Sequence, residues 1–147
     1  MFREKGDALE VLLVHPGGPF FRNKDSGTWT VPKGELLEGE DAESRARVEF
    51  GEEIGIEPTA GEWIGLGTVK QKGGKTIHAW AFAGDLPPNF VPVSNTFTIE
   101  WPPRSGRAQE FPEIDRAEFF PIELAKDKIN PAQVAFLDRL VEHLARR

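Results

Sequence analysis

Residues 34–56 read GELLEGEDAESRARVEFGEEIGI and are the most informative stretch of the chain. They place three glutamates, Glu49, Glu52 and Glu53, within five residues. At about 100° per residue of helix, the three side chains fall within an arc of about 100° on one helix face. Carboxylate oxygens suit Mg²⁺ or Mn²⁺ better than Zn²⁺, and the chain has no cysteine that would favour zinc. The spacing predicts a helix that holds a divalent metal, and the alternative is a solvated acidic face.

Capping signals set the predicted limits of two helices. Asp41 is a suitable N-cap and Gly55 a suitable C′ residue, which predicts a helix over about residues 41–54. Asn130 followed by Pro131 predicts the start of a C-terminal helix over about residues 131–146. The predicted strands are residues 9–15, 63–70, 76–84, 95–101 and 117–120.

Other segments between the predicted helices are turns and loops. Gly73-Gly74 predicts a two-residue hairpin, and residues 104–112 are predicted to form a mobile loop. The order of strands and helices predicts an α/β fold with a mixed sheet between helices.

Length and composition narrow the function classes. A chain of 147 residues is predicted to form one domain. It has no cysteine and no apolar run long enough to span a membrane, so we expect a cytoplasmic protein without thiol chemistry. A net charge of −6 argues against stable binding of nucleic acid. Composition leaves the oligomeric state open.

The stretch resembles the Nudix box, which runs Gly, five residues, Glu, seven residues, Arg-Glu-apolar-any-Glu-Glu-any-Gly-apolar. Eight of the nine fixed positions match, and they are Gly34, Glu40, Glu49, Phe50, Glu52, Glu53, Gly55 and Ile56. Residues 11–19, 100–106 and 111–117 resemble a bacterial Nudix subgroup of predicted nucleoside-triphosphate pyrophosphohydrolases. The resemblance implies an α/β/α sandwich over residues 1–147. It also implies an apolar strand before Met1, so either the start codon is assigned late or the chain lacks that strand.

The resemblance further implies metal-dependent hydrolysis of a pyrophosphate bond in a nucleotide derivative. The matching glutamates Glu49, Glu52 and Glu53 would bind Mg²⁺ or Mn²⁺ together with the main-chain carbonyl of Lys33. Glu52 and Glu53 compete for the role of general base. Relatives also use a glutamate from a later loop, for which Glu113 is preferred here to Glu110 and Asp115. Supporting roles fall to Glu40, Gly34 and Gly55.

One fixed position departs from the box. Val48 stands where the family has an arginine that helps hold the catalytic glutamates. Helical geometry places Arg45 inside the acidic arc, four residues before Glu49, and places Arg47 on the far side. Arg45 is therefore the predicted substitute.

Three residues are predicted to contact the substrate. Trp101 is the best candidate to stack a nucleobase, Lys33 is a candidate phosphate contact, and Arg104 lies in a loop that would close over substrate. The chain has no tyrosine of the kind that dinucleoside-polyphosphate hydrolases carry, and it lacks the proline typical of ADP-ribose hydrolases. A nucleoside triphosphate or polyphosphate is thus the expected substrate. The alternatives are a nucleotide-binding regulatory domain with little hydrolysis and a diadenosine-polyphosphate hydrolase.

Overall fold

The computed structural model describes residues 1–32, 39, 41–58 and 61–146. In chain order its elements are β1 Phe2–Lys5, β2 Ala8–Pro16, α1 Ala42–Ile54, β3 Ile64–Lys70, β4 Thr76–Ala81, β5 Thr96–Glu100, β6 Ala108–Pro112, β7 Ile114–Pro121, α2 Ile122–Lys128, a 3₁₀ turn Pro131–Gln133 and α3 Val134–Ala145. The predicted limits of the first helix agree with α1 to within one residue. The predicted C-terminal helix is present, but residues 131–133 form a 3₁₀ turn and α3 itself begins three residues later than predicted.

The strands form three antiparallel groups. β2 lies between β1 and β7, while β3 pairs with β4 and β5 pairs with β6. A parallel bridge from Phe2 to Ala83 joins β1 to the segment that follows β4. In the part of the chain that the structure describes, no helix is long and apolar enough to cross a membrane.

β2 lies at the centre of the sandwich because both of its faces are apolar. Val11 and Leu13 belong to one core cluster with Phe136, Leu137 and Leu140 of α3. On the opposite face, Leu12 and Val14 join Phe50 and Ile54 of α1 in a second cluster. The alternating side chains of one strand therefore hold a helix on each side.

Three local predictions were wrong. Residues 108–112, predicted to lie in a mobile loop, form β6 and pair with β5 from Thr96 to Glu100. The turn between β3 and β4 has three residues inside the Gln71–Lys75 hydrogen bond, and the left-handed φ of Gly73 and Gly74 allows it. β7 is longer than predicted, and α2, which follows it directly, was not predicted at all.

Candidate active site

The acidic face of α1 is oriented by its two ends and by its apolar face. The Asp41 carboxylate accepts hydrogen bonds from the backbone N–H of Ser44 at 2.9 Å and from its hydroxyl at 2.8 Å. Gly55 adopts a left-handed φ of 86°, which lets its N–H reach the Gly51 carbonyl at 2.8 Å. Phe50 and Ile54 are buried against the sheet. The helix therefore has a fixed rotation about its axis.

Glu49 is the buried carboxylate of this face, with only 8% of its surface exposed. Its Oε1 atom forms an ion pair with Nη2 of Arg45. Burial raises the pKa of Glu49 above its ordinary value, and the Arg45 guanidinium opposes that rise. The negative charges of Glu52 and Glu113 raise the same pKa further. The surroundings of ionised Glu49 therefore favour the binding of a proton or of a metal cation.

Arg45 and Arg47 lie two residues apart and have different partners. Arg45 reaches Glu49 and lies 4.0 Å from the Glu52 carboxylate. Arg47 lies 3.9 Å from Glu43, and its guanidinium stands 4.1 Å above the ring of Trp63. Helical geometry predicted this separation of the two arginines.

Glu113 reaches the same region from the sheet. Its N–H donates to the Asn95 carbonyl at 2.9 Å, and its own carbonyl accepts from the Gly17 N–H at 2.8 Å. The backbone at Glu113 is thereby held from both sides, and its side chain is exposed. Its charge acts on Glu49, so the structure brings this later glutamate together with the acidic face of α1.

The two alternatives to Glu113 have other surroundings. Asp115 lies 2.8 Å from Nδ1 of the buried His15, whose Nε2 lies 2.7 Å from the Lys24 carbonyl. His15 is thus a buried side chain with a polar contact at each ring nitrogen, which is a structural role. Glu110 lies in the middle of β6, opposite Thr98.

Among the described residues, the carboxylates of α1 supply part of the oxygen ligand set that a hard divalent cation needs. Glu52 is exposed and Glu53 is half-buried, both on the arc of Glu49. No group of three His, Asp or Glu side chains in the described ranges is already arranged as a metal cage. Three predicted members of the site, Lys33, Gly34 and Glu40, lie outside the described residues. The fit rests on oxygen donors and on the excess of negative charge around Glu49.

The predicted substrate contacts Trp101 and Arg104 lie at the tip of the β5–β6 hairpin. Trp101 is half-buried, and its N–H donates to the Arg107 carbonyl at 2.9 Å. Arg104 is exposed and has a φ of 62°. Phe20 was not among the predicted site residues, and its ring meets Trp101 edge-to-face with 5.4 Å between centroids. The available signal was an aromatic pair, Phe20-Phe21, directly after a glycine-rich turn.

Val48, at the departing position, is an exposed residue. It is 48% exposed and lines a surface groove with Gly51, Glu52 and Gly55. Its side chain carries no charge to pair with the neighbouring glutamates, and within the described residues Arg45 forms ion pairs with Glu49 and Glu52.

Comparison with known proteins identifies the architecture. A family model described as NUDIX domain matches residues 1–140. Among solved structures, the chain is similar to a C. elegans Ap4A hydrolase in a binary complex, at 20% identity and a TM-score of 0.67, covering 99% of this chain and 95% of that one. It is also similar to the NUDIX domain of Shewanella oneidensis NrtR complexed with ADP ribose, at 17% identity and a TM-score of 0.60, covering 97% and 82%. The E. coli ORF135 protein follows at 22% identity and a TM-score of 0.55, covering 99% and 82%. No curated protein matches the chain.

Proposed function

The chain belongs to the Nudix family and is a hydrolase of phosphoric anhydride bonds, and we propose that it is a Mg²⁺- or Mn²⁺-dependent pyrophosphohydrolase of nucleoside triphosphates or polyphosphates. The observation that carries the proposal is the cluster on α1 in which Arg45 pairs with Glu49 and lies beside Glu52. The negative charge of Glu113 also acts on Glu49 and raises its pKa. A buried carboxylate surrounded by further carboxylates is costly unless a cation joins it. In a hydrolase of anionic substrates, that cation would also neutralise the charge of the substrate.

Each residue of the site has a proposed role. Glu49, Glu52 and Glu53 would hold the metal together with the Lys33 main-chain carbonyl, and a metal bound there would supply neutralisation of phosphate charge and acidification of water. Arg45 keeps Glu49 ionised and fixes its side chain, as the family's box arginine would. Glu40, Gly34 and Gly55 support the loops at either end of α1.

The reaction needs one proton acceptor. Water attacks phosphorus, the anhydride P–O bond breaks, and the departing phosphate leaves with the bond's electron pair. The attacking water loses its proton to a carboxylate near the metal, for which Glu52, Glu53 and Glu113 are the candidates. Exposure favours Glu52 and Glu113, because an exposed carboxylate exchanges its proton with solvent after each turnover.

Substrate contacts are assigned to residues on both sides of this cluster. Lys33 is proposed to meet a phosphate, and Trp101 and Arg104 are proposed to contact the nucleoside part. The similarity in fold to an Ap4A hydrolase and to an ADP-ribose-bound domain agrees with a nucleotide ligand. Residues 1–147 act as a single domain in this proposal, and a cytoplasmic location stays a prediction.

A nucleotide-binding domain with little hydrolysis is the second candidate, and Val48 favours it. With valine at the position of the box arginine, only Arg45 balances Glu49 in the described part of the helix. This function predicts nucleotide binding without turnover, and a gain of turnover in Val48→Arg.

The two functions separate in one assay. Nucleoside triphosphates, diadenosine polyphosphates and nucleotide sugars are incubated with Mg²⁺, Mn²⁺ or EDTA, and all products are identified by chromatography. We expect metal-dependent cleavage of a triphosphate or polyphosphate and none in EDTA. Cleavage of diadenosine tetraphosphate alone, to ATP and AMP, would reassign the substrate class. Binding without cleavage of any compound would overturn the proposed pyrophosphohydrolase activity in favour of the second candidate.

A further inference from the structure

Phe20 and Trp101 form an aromatic pair at the protein surface, the aromatic corner, and neither residue belongs to the two core clusters. Phe20 is 58% exposed, more than any other large aromatic side chain among the exposed hydrophobic residues described. Its ring stands at 80° to the indole of Trp101, with 5.4 Å between centroids. An edge-to-face pair leaves ring surface open on both sides of the corner, and a flat heterocycle stacks on such a surface.

The backbone on both sides of this corner is held in place. The Trp101 N–H donates to the Arg107 carbonyl at 2.9 Å, and the Trp101 carbonyl accepts from the Gln109 amide at 2.6 Å. On the other side, Gly18 packs so tightly on Phe97 that a Cβ there would lie 2.6 Å from the ring. Two segments that are far apart in sequence are thus fixed beside each other, which reduces the entropy lost when a ligand binds.

The same loop links the corner to the proposed site. Gly17, three residues before Phe20, donates to the Glu113 carbonyl. Three residues of chain reach at most about 11 Å, so the Phe20 backbone lies within about that distance of Gly17. The hairpin gives a longer path, because Arg107, which pairs with Trp101, stands six residues before Glu113, or about 20 Å along a strand. Both paths are upper limits on the distance from the corner to the Glu113 backbone, and a nucleotide with a chain of phosphates extends over a distance of that order.

Charge near the corner suits such a ligand. Arg104 and Arg107 lie in the hairpin tip that follows Trp101, and both are exposed. Arg22 and Lys24 follow Phe20 in its loop, with the Lys24 ammonium 5.6 Å from the centre of the Phe21 ring. Cations beside an aromatic corner match a ligand that combines a heterocyclic base with phosphates.

We propose that Phe20 and Trp101 form the nucleobase site of this enzyme, and that it holds the base of a nucleoside polyphosphate whose phosphates extend toward Glu49 and Glu113. The proposal rests on the proposed function for the direction of the phosphates, but base binding itself does not require hydrolysis. Phe20 is then a specificity-determining residue, because it contacts the base and lies away from the reacting phosphorus.

The test measures binding rather than turnover, so that failure of hydrolysis does not decide it. Calorimetry in Mg²⁺ compares α,β-methylene-ATP, which has a base, with methylenediphosphonate, which has none. Because stacking on an aromatic side chain contributes strongly to base binding, Phe20→Ala and Trp101→Leu should each weaken the nucleotide analogue about 10-fold or more. Neither substitution should change the affinity for methylenediphosphonate.

Two further variants separate base binding from a packing role. Trp80 is a half-buried tryptophan stacked on His78 in β4, so Trp80→Leu is the matched control and should leave the affinity ratio unchanged. Phe20→Tyr keeps the ring and should restore most of the affinity. Equal losses for both ligands in Phe20→Ala and Trp101→Leu, or a wild-type protein that binds the nucleotide analogue no better than methylenediphosphonate, would overturn the proposal.

Discussion

The charged residues on the two faces of α1 differ in their partners and in the balance of charge around them. On one face Arg45 pairs with buried Glu49 beside Glu52, and further negative charge comes from Glu113. On the other face Arg47 meets Glu43 and covers Trp63. The second arrangement is a balanced surface contact, whereas the first gathers more negative than positive charge. We expect this difference if the acidic face binds a cation and the other face stabilises the fold.

The largest expected effect is on the acidic face. Glu52→Gln and Glu53→Gln should each reduce kcat about 100-fold or more, because each removes a proposed metal ligand or proton acceptor. Glu43→Gln, on the opposite face, is the control and should leave kcat near the wild-type value. Steady-state kinetics at saturating Mg²⁺ measures all three, and equal kcat in every variant would remove the functional contrast between the faces.

The two arginines should separate activity from stability. Arg45→Ala leaves buried Glu49 without its ion pair and should lower activity or metal affinity about 10-fold or more. Arg47→Ala should leave both unchanged and reduce the free energy of unfolding by about 0.5–1 kcal/mol, the usual value of an exposed cation–π contact. A Mg²⁺ titration of activity and a denaturant titration measure the two effects. Equal loss of activity in both variants would contradict the contrast.

Gly17 tests whether Glu113 belongs to the acidic face. A Cβ at Gly17 would lie 2.0 Å from the Pro112 carbonyl oxygen, so Gly17→Ala must displace the backbone that carries Glu113. We expect a several-fold loss of kcat and a loss of stability of about 1–3 kcal/mol. Gly61→Ala is the matched control, since no atom lies within 4 Å of a Cβ there. Kinetics and thermal melting decide, and a destabilised Gly17→Ala with unchanged kcat would argue against a catalytic Glu113.

The smallest expected effect is on stability without metal. The pKa of Glu49 is raised in the fold, chiefly by burial, so its ionised form opposes folding at pH values above that raised pKa. This cost disappears as pH falls through the folded pKa, because protonation then favours the native state. In EDTA at neutral pH, Glu49→Gln should therefore melt slightly above the wild type, and the difference should shrink on acidification. A melting temperature below the wild type at neutral pH would show that the Arg45 pair outweighs burial.

The sequence predicted α1 and its acidic face because those features are local. Asp41, Gly55 and the apolar residues Phe50 and Ile54 act over a few positions, and helical angle alone assigned Arg45 and Arg47 to different faces. The C-terminal helix was predicted for the same reason, from the adjacent residues Asn130 and Pro131.

Features that depend on distant pairing were missed. β6 reads AQEFP, which has no clear alternation, and it is a strand because Thr96–Glu100 pairs with it. The contact between Phe20 and Trp101 joins residues from two loops that only the fold brings together. Gly17 and Glu113 are joined by a backbone hydrogen bond, and such a bond leaves no pattern in the order of side chains.

The most direct measurement is Mn²⁺ binding to the nucleotide-free protein, followed by electron paramagnetic resonance. The acidic face should bind Mn²⁺ in the wild type and in Glu43→Gln, and binding should be lost when Glu49→Gln and Glu52→Gln are combined. Mn²⁺ binding that persists unchanged in the combined variant would contradict a metal site on the acidic face of α1.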